Sequence, residues 1–370
     1  MITGYIVSGL QRQPLFSGGL RDLDITKCVI ETGMGEVDSA DIELPGTNLA
    51  ARSLLQRNVI VEIRHNNEVV FRGDVATATQ TETGTVRLEL DGALGFLRAV
   101  CKPPFQVSGM TAEDFLTAIL NQYNAGVGVE RLVHLGTVNV PGTLEMDHRA
   151  EYTSMLDLFR EVVEQLGGFY FVDYSSGIPT VHYVTAPERG ATQLELGRNV
   201  LTVENQLDFS RYASRVYATG HYYVTTTVDG KEERTQHILD AGYVRDADAE
   251  TAFGRLDLPY RSDTDMGGDK DAGIPDKTEA EARQIIRAEA LKLLQERKNP
   301  LQSLTMTAAE LADLGENYQK FRVGTSTRTR CTPLRIDAQM MVRKVRRDYL
   351  AAANTVVTFG QAPITLIGLL

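Results

Sequence analysis

The sequence predicts an α+β protein: two antiparallel β-barrel or sandwich modules, an α/β module between them, and a subdomain inserted into the second β module. Three observations predict it. Short alternating segments joined by tight turns fill residues 1–98 and return from residue 197. Between them, an amphipathic helix runs into a double glycine and then into an aromatic strand. From residue 221 the pattern becomes less regular, and polar, glycine-rich residues at 240–277 interrupt the second β region.

The helix comes first, because the chain is organised around it. Thr153 and Ser154 are N-cap types, with Asp157 placed as in a capping box. Met155, Leu158, Phe159, Val162 and Leu166 form one apolar stripe. Gly167 suits the end of the helix, since it has no Cβ to clash at positive φ. Phe169–Val172 and Tyr174 are strand formers, Ser175–Pro179 a turn, and Thr180–Val184 the returning strand.

In the first module, residues 20–30 alternate in part, Ala40–Leu44 alternates and stops at Pro45-Gly46, and Val59–Arg64 is a strand. Asn66-Asn67 turns it into Glu68–Arg72, which Gly73 follows. Val86–Leu90 alternates, so one face is wet and one buried. Lys102-Pro-Pro-Phe105 breaks the chain, and Thr111 with Asp114 opens a helix ending near Gly126.

Val200, Thr202, Val216 and Ala218 fit strands, and Tyr222–Val228, Asp229-Gly230 and Lys231 onward read as a hairpin. Residues 240–277 read as a loop or inserted subdomain. Thr278 with Glu281 starts a helix carrying Ile286, Ala290, Leu293 and Leu294, which Pro300 ends. Ser303–Thr307, Gln339–Arg346 and Asn354–Phe359 return to β. The divisions that follow are 1–98, 99–196, 197–225 with 300–370, and the insertion 226–299.

Several function classes are disfavoured. A chain of 370 residues with net charge −11 lacks the cationic excess of a protein that grips phosphates, although an acidic wall would keep DNA from sticking as it slid past. No run is long and apolar enough for a membrane helix, and the first residues lack the pattern of a signal peptide. Cys28, Cys101 and Cys331 are too few and too scattered for a disulfide scaffold.

Candidate chemistry is sparse. His65, His134, His148, His182, His221 and His237 form no HExxH pair, and no GxSxG accompanies Asp147-His148. Asp147 and Glu151 are the carboxylates a wall hydrolase would use. Asp263, Asp265, Asp269 and Asp271 resemble a calcium loop, but Gly267 and Ile274 stand where ligands are needed, which leaves a solvated acidic loop as the plainer reading. Glu161 and Glu164 belong to a polar helix face. Arg343-Lys-Val-Arg-Arg347 reads as a salt-bridged strand face. Gly18-Gly19 and Gly33-Met-Gly35 lack the rest of a phosphate loop. Ile364–Leu370 is apolar, suited to a closing strand or a docking segment. No catalytic residue, cofactor or metal is expected.

Val70–Val75 followed by Leu88–Leu97 resembles the first tube-like module of bacteriophage tail hub proteins. Leu135-Gly136, the 152–166 helix and Gly167-Gly168 resemble their middle α/β module. Asn199–Leu201 with Arg215–Gly220, and Val342–Phe359, resemble the opening and closing parts of a second tube-like module. The family comprises baseplate hubs and the N-terminal regions of tail-associated lysins.

The resemblance implies a homotrimer whose six β modules form a ring between the tail tube or distal tail protein and the spike or central fibre. Tape-measure protein and then DNA would pass its channel without specific binding. It also implies a place at the virion tail tip or baseplate, with synthesis in the host cytoplasm. The chain ends at Leu370 without a peptidase or glycosidase domain, so the lysin activity of longer relatives is not expected.

Overall fold

The computed structural model describes residues 1–18, 23–48, 50, 59–186, 188–228, 231–268, 276–309, 320–351 and 355–359. The chain divides into two compact units, Met1–Glu204 with Leu304–Gly360, and Asn205–Ser303.

The first unit begins with strands β1 (Ile2–Ser8), β2 (Gln11–Ser17), β3 (Lys27–Gly33), β4 (Ser39–Leu44), β5 (Ile60–His65), β6 (Glu68–Gln80) and β7 (Val86–Gly92). Asn66 and Asn67 both take positive φ, which a two-residue hairpin turn requires. Gly73 does not end its strand. It sits opposite Gly92, where a Cβ would collide with the Asp91 carbonyl, so it marks a close approach and β6 runs on to Gln80. The short helix α1 (Ala93–Arg98) buries Ala93, Leu94, Phe96 and Leu97.

The α/β module follows: β8 (Cys101–Lys102), β9 (Phe105–Thr111), α2 (Ala112–Ala125), β10 (His134–Val138), β11 (Thr143–His148), β12 (Thr153–Ser154), α3 (Met155–Leu166), β13 (Phe169–Asp173) and β14 (Thr180–Val184). β14 lies between β13, antiparallel, and β10, parallel. On α3 the residues Met155, Leu158, Phe159 and Val162 are buried, as the stripe predicts, and Gly167 closes the helix at φ +74°.

The expected capping boxes are realised unequally. Thr111 and Ser154 accept from the backbone N–H groups of Asp114 and Asp157, but each aspartate reaches back only to the hydroxyl. Aspartate is one methylene shorter than glutamate. Only Glu281 reaches the N-cap amide, completing a reciprocal box with Thr278.

β15 (Glu188–Glu195) and β16 (Val200–Asp208) lead to the second unit. There β17 (Arg215–Val228) and β18 (Lys231–Arg245) form a long hairpin, whose predicted turn pair Asp229-Gly230 lies outside the described residues. Helix α4 (Ala247–Phe253) and strand β19 (Asp257–Arg261), parallel to β17, fold much of the stretch first read as a loop or inserted subdomain. Helix α5 (Glu279–Arg297) packs Ala282, Ile286, Ala290 and Leu294 with Val216, Ala218, Leu239 and Ala241 of the sheet.

The first unit resumes with β20 (Leu301–Ala308), β21 (Thr325–Cys331), β22 (Ile336–Asp348) and β23 (Thr355–Phe359). One sheet runs β16-β20-β23-β22-β3-β4-β7-β6-β5-β1-β2, with β21 pairing β22 and β15 pairing β21. The two predicted β regions therefore share a sheet through the antiparallel pairing of β22 with β3. The fold is α+β and mostly antiparallel. The three cysteines are free. No helix among the described residues is long and apolar enough to cross a membrane. Residues 364–370, read as a closing or docking segment, lie outside the described residues.

Candidate functional site

The most distinctive surface is a run of eight strands within the first unit, β6-β7-β4-β3-β22-β23-β20-β16. One face is core: Cys28, Ile30, Ala40, Ile42, Leu88 and Leu90 are buried in the first half, and Leu304, Met306, Val345, Val357 and Phe359 in the second. Side chains opposite one another in an antiparallel ladder share a face. The other face can therefore be read row by row. Thr79, Arg87, Glu43 and Lys27 form one row, and Thr77, Glu89, Asp41 and Val29 the next. Further along, Glu31 faces Arg346, and Lys344 faces Thr358, which faces Thr305.

The charges on this open face are interleaved. Arg87 bonds Glu43 at 3.0 Å, Lys27 bonds Asp41, and Lys344 bonds Glu31 at 2.9 Å and Glu36 at 2.8 Å. Neighbouring acids hold the Lys344 ammonium above its usual range against the effect of burial, which lowers it. The expected salt-bridged face is realised at Lys344, whereas Arg343 and Arg346 are exposed.

Both ends of the run carry a free edge among the described residues. Strand β5 pairs with β6 only as far as Asp74, so Val75–Gln80 is bonded on one side, to β7. At the other end β16 ends the path beyond β20, with Leu201 58% exposed and Thr202 and Glu204 also exposed. An unpaired strand edge is a row of unused N–H and C=O groups, and natural proteins guard such edges with proline or charge. Neither Val75–Gln80 nor Val200–Val203 contains a proline or a charge.

Two buried carboxylates brace the first half. Glu62 of β5 is fully buried among Arg12 (2.9 Å), Arg64 (2.7 Å) and Arg72. Burial pushes its carboxyl up, but the Arg72, Arg12 and Arg64 guanidiniums outweigh this and hold it below the usual range. Asp38, in the turn between β3 and β4, accepts from the Gly33 amide at 3.0 Å and the Tyr174 hydroxyl at 2.9 Å. Burial pushes Asp38 up to about 7. Beside it, the Gly33-Met34-Gly35 turn is taken up by Tyr170, whose hydroxyl donates to the Gly35 carbonyl and whose own carbonyl accepts from the Gly35 amide. That turn fixes the α/β module to the sheet and is not a phosphate cradle.

The carboxylates of the hydrolase reading do not converge. Arg149 clamps Asp147 at 2.8 and 2.6 Å, and its hydrogen bonds hold that carboxyl below the usual range, far from a general acid. Glu151 and Glu161 flank His148 at 3.2 and 2.7 Å, with the Thr153 hydroxyl 3.2 Å from the same ring nitrogen that faces Glu151. A hydroxyl, an imidazole and a carboxylate are thus in line. Yet burial, which lowers the imidazole, is outweighed by Glu161 and Glu151, which raise it. A ring that donates to two carboxylates has no lone pair left to take a proton from Thr153. Glu164 faces solvent on α3.

The remaining histidines are scattered. His65 packs on Tyr349, His182 stacks on Phe171 and accepts from the Thr137 amide, and His221 and His237 lie beside Tyr223 and Tyr222. His134 is exposed on β10. Of the acidic-loop residues, Asp265 accepts from the Gly267 amide at 2.8 Å, and Asp269 and Asp271 lie outside the described residues. No three potential metal ligands gather among the described residues. The Arg234 guanidinium instead lies against Gly267, bonded to Asp276.

The sequence reading missed the two edges and the Glu62 cage. The signal for the cage was present: a single acid, Glu62, within the otherwise apolar run Val59–Ile63, with arginines at 12, 64 and 72.

Comparison with known proteins agrees with this architecture. Residues 187–366 match a family model described as prophage endopeptidase tail. No curated protein matches the chain. Among solved structures the fold is similar to the 43 kDa tail protein of prophage MuSo2 from Shewanella oneidensis, with TM-score 0.58, 14% identity and 97% of each chain covered. The tail protein from Neisseria meningitidis MC58 gives 0.58 and 14%, covering 97% of this chain and 96% of that one. A prophage tail protein from Listeria monocytogenes EGD-e gives 0.53 and 10%, covering 99% and 96%. The resemblance to phage tail proteins read from the sequence is borne out in the fold and in the residues that the family model matches.

Proposed function

We propose that the chain is a structural hub of a phage tail or tail-like particle, and that three copies close their sheets edge to edge into a ring. The observation that carries this reading is the pair of edges left free among the described residues, Val75–Gln80 of β6 and the Val200–Val203 part of β16, at the two ends of one eight-strand run. A closed sheet removes its edges. The two β regions of each chain, 1–98 and 197–225 with 300–370, supply six modules to the ring, and 226–299 is an insertion. The core and the α/β module lie behind one face of the run, so closure turns the open face inward as a channel lining. Such a ring joins the tail tube or distal tail protein above to the spike or central fibre below, and lets tape-measure protein and DNA through. It belongs at the virion tail tip, and its work is assembly and passage, with no bond chemistry and no metal or cofactor.

The test is the solution mass of the chain and of two edge variants, Thr77→Pro and Ala78→Pro. Neighbouring residues of a strand direct their N–H groups to opposite edges, so one proline disturbs the β6–β7 ladder and the other only the free edge. The wild-type chain is expected at three times 40.8 kDa, and the free-edge variant as a folded monomer. Folded variants that both keep the trimer would sink the edge closure.

A further inference from the structure

The second unit holds a surface that the ring reading does not use. Helix α5 covers one face of the sheet β18-β17-β19, packing on Val216, Ala218, Leu239 and Ala241. Successive side chains of a strand alternate, so the residues between these point to the other face. Its middle row is Tyr243, Tyr217 and Pro259, with Arg245 in the row on one side and Arg261 in the row on the other. Ile238 follows, paired with His221.

A wet face on an antiparallel sheet is ordinary. The composition of this one is that of a binding surface. Tyr217 and Tyr243 lie 5.3 Å apart and are 38% and 43% exposed, and Ile238 is 86% exposed. Tyrosine and arginine are the side chains enriched where proteins meet, and they carry most of the binding energy there. Two arginines beside the tyrosines are already matched. Arg215 bonds Glu250 at 2.6 Å, and Arg255, which also donates to the Tyr217 hydroxyl, bonds Asp257 at 2.6 Å. Arg245 and Arg261 are exposed and form no ion pair among the described residues. The other carboxylate in these rows, Asp240, accepts from the Gly242 amide. Arg215, Arg245, Arg255 and Arg261 thus stand against Asp240, Glu250 and Asp257, a cationic balance on a chain of net charge −11.

We propose that this face docks an acidic segment of a partner protein, which lies across the tyrosines with carboxylates at Arg245 and Arg261. The charges select the occupant. An unmatched guanidinium takes a carboxylate in a two-pronged hydrogen bond, and a basic segment meets only repulsion there. The two arginines stand on the outer strands, two strand spacings apart and four residues along, or roughly 16 Å. An extended segment of about five residues spans that distance. Between the two ends the rings offer apolar area at little cost in side-chain freedom. The inference does not rest on the ring, because none of these residues belongs to the eight-strand run.

The experiment measures binding of a fluorescent peptide of alternating glutamate and phenylalanine to the full-length chain, against a peptide of alternating lysine and phenylalanine. Wild type is expected to bind the acidic peptide alone, and more weakly as salt rises. Arg245→Gln with Arg261→Gln is expected to lower that affinity about tenfold, as two exposed charge-assisted hydrogen bonds are lost. Ile238→Glu, at a position exposed enough to spare the fold, is expected to lower it too, by setting a like charge beneath the peptide. Arg287→Gln with Lys292→Gln removes the same charge from exposed positions of α5, across the sheet, and is expected to change nothing.

Equal binding of the two peptides, no binding of the acidic one, or equal losses from the two double variants would each overturn the acidic occupant. Self-association of the wild type that the Arg245 and Arg261 substitutions abolish, without peptide binding, would also overturn it and give the face to a second copy of the chain.

Discussion

The two halves of the long sheet have the same architecture and different surfaces. In β6, β7, β4 and β3 the open face carries Arg87, Glu89, Glu43, Asp41, Lys27 and Glu31. In β22, β23 and β20 it carries Lys344 and Arg346, followed by Val356, Thr358, Thr305 and Thr307. Behind the first half lies a large core shared with α1, α2 and α3, and behind the second a smaller cluster around Phe359. The halves meet where Lys344 reaches Glu31, 313 residues away in the chain. The difference teaches that strand pairing alone carries the sheet across the junction, while the charges of its open face gather in the first half and at Lys344 and Arg346.

The largest expected effect comes from the bracing of the first half. Glu62→Gln leaves the buried Arg72 without its carboxylate and is expected to cost roughly 3–5 kcal/mol, read by chemical denaturation. In the second half Phe359→Ala empties the centre of the smaller cluster, at roughly 3–5 kcal/mol. Because fewer neighbours surround it, its unfolding is expected to precede that of the first half, giving a biphasic transition where Glu62→Gln gives a single one.

Asp38 provides a pH test of the first half. Its folded carboxyl titrates at about 7, above the unfolded value of roughly 4. The stability it contributes is full below the unfolded value and is lost as pH rises through about 7. Asp38→Asn is therefore expected to gain on wild type in melting temperature from pH 4 to pH 8, with no further gain above that. A constant difference across the range would show that Asp38 is ionised in the fold. The smallest effect belongs to the junction. Lys344→Met removes a half-exposed pair from a face that retains its strand ladder, and is expected to cost about 1 kcal/mol or less.

Much of this fold was legible from local patterns. Alternation marked β4 and β7, and the apolar stripes with their N-caps marked α2, α3 and α5, because burial on one face imposes a period on the residues themselves. What escaped was non-local. The extension of β6 past Gly73 depends on Gly92 opposite it. β21 hides its inward positions in Ser326, Thr327, Thr329 and Cys331, which a hydrophobic pattern does not reveal. The parallel pairs of β10 with β14 and β17 with β19 join segments with no turn between them to announce the contact. Of the candidate site, the basic cluster at 343–347 was visible, but its partner Glu31 was not. The free edges were invisible too, since an edge is defined by which strand is missing.

The most direct test of the ring is a cross-link between its two edges. In a Cys101→Ser background, Thr79→Cys and Thr202→Cys place one thiol on the free edge of β6 and one on β16, both at exposed positions. A short bis-maleimide is expected to join copies covalently and to stop at three times 40.8 kDa, as a closed trimer must. An unlinked chain, or a ladder that climbs past three copies, would contradict the closure of these edges.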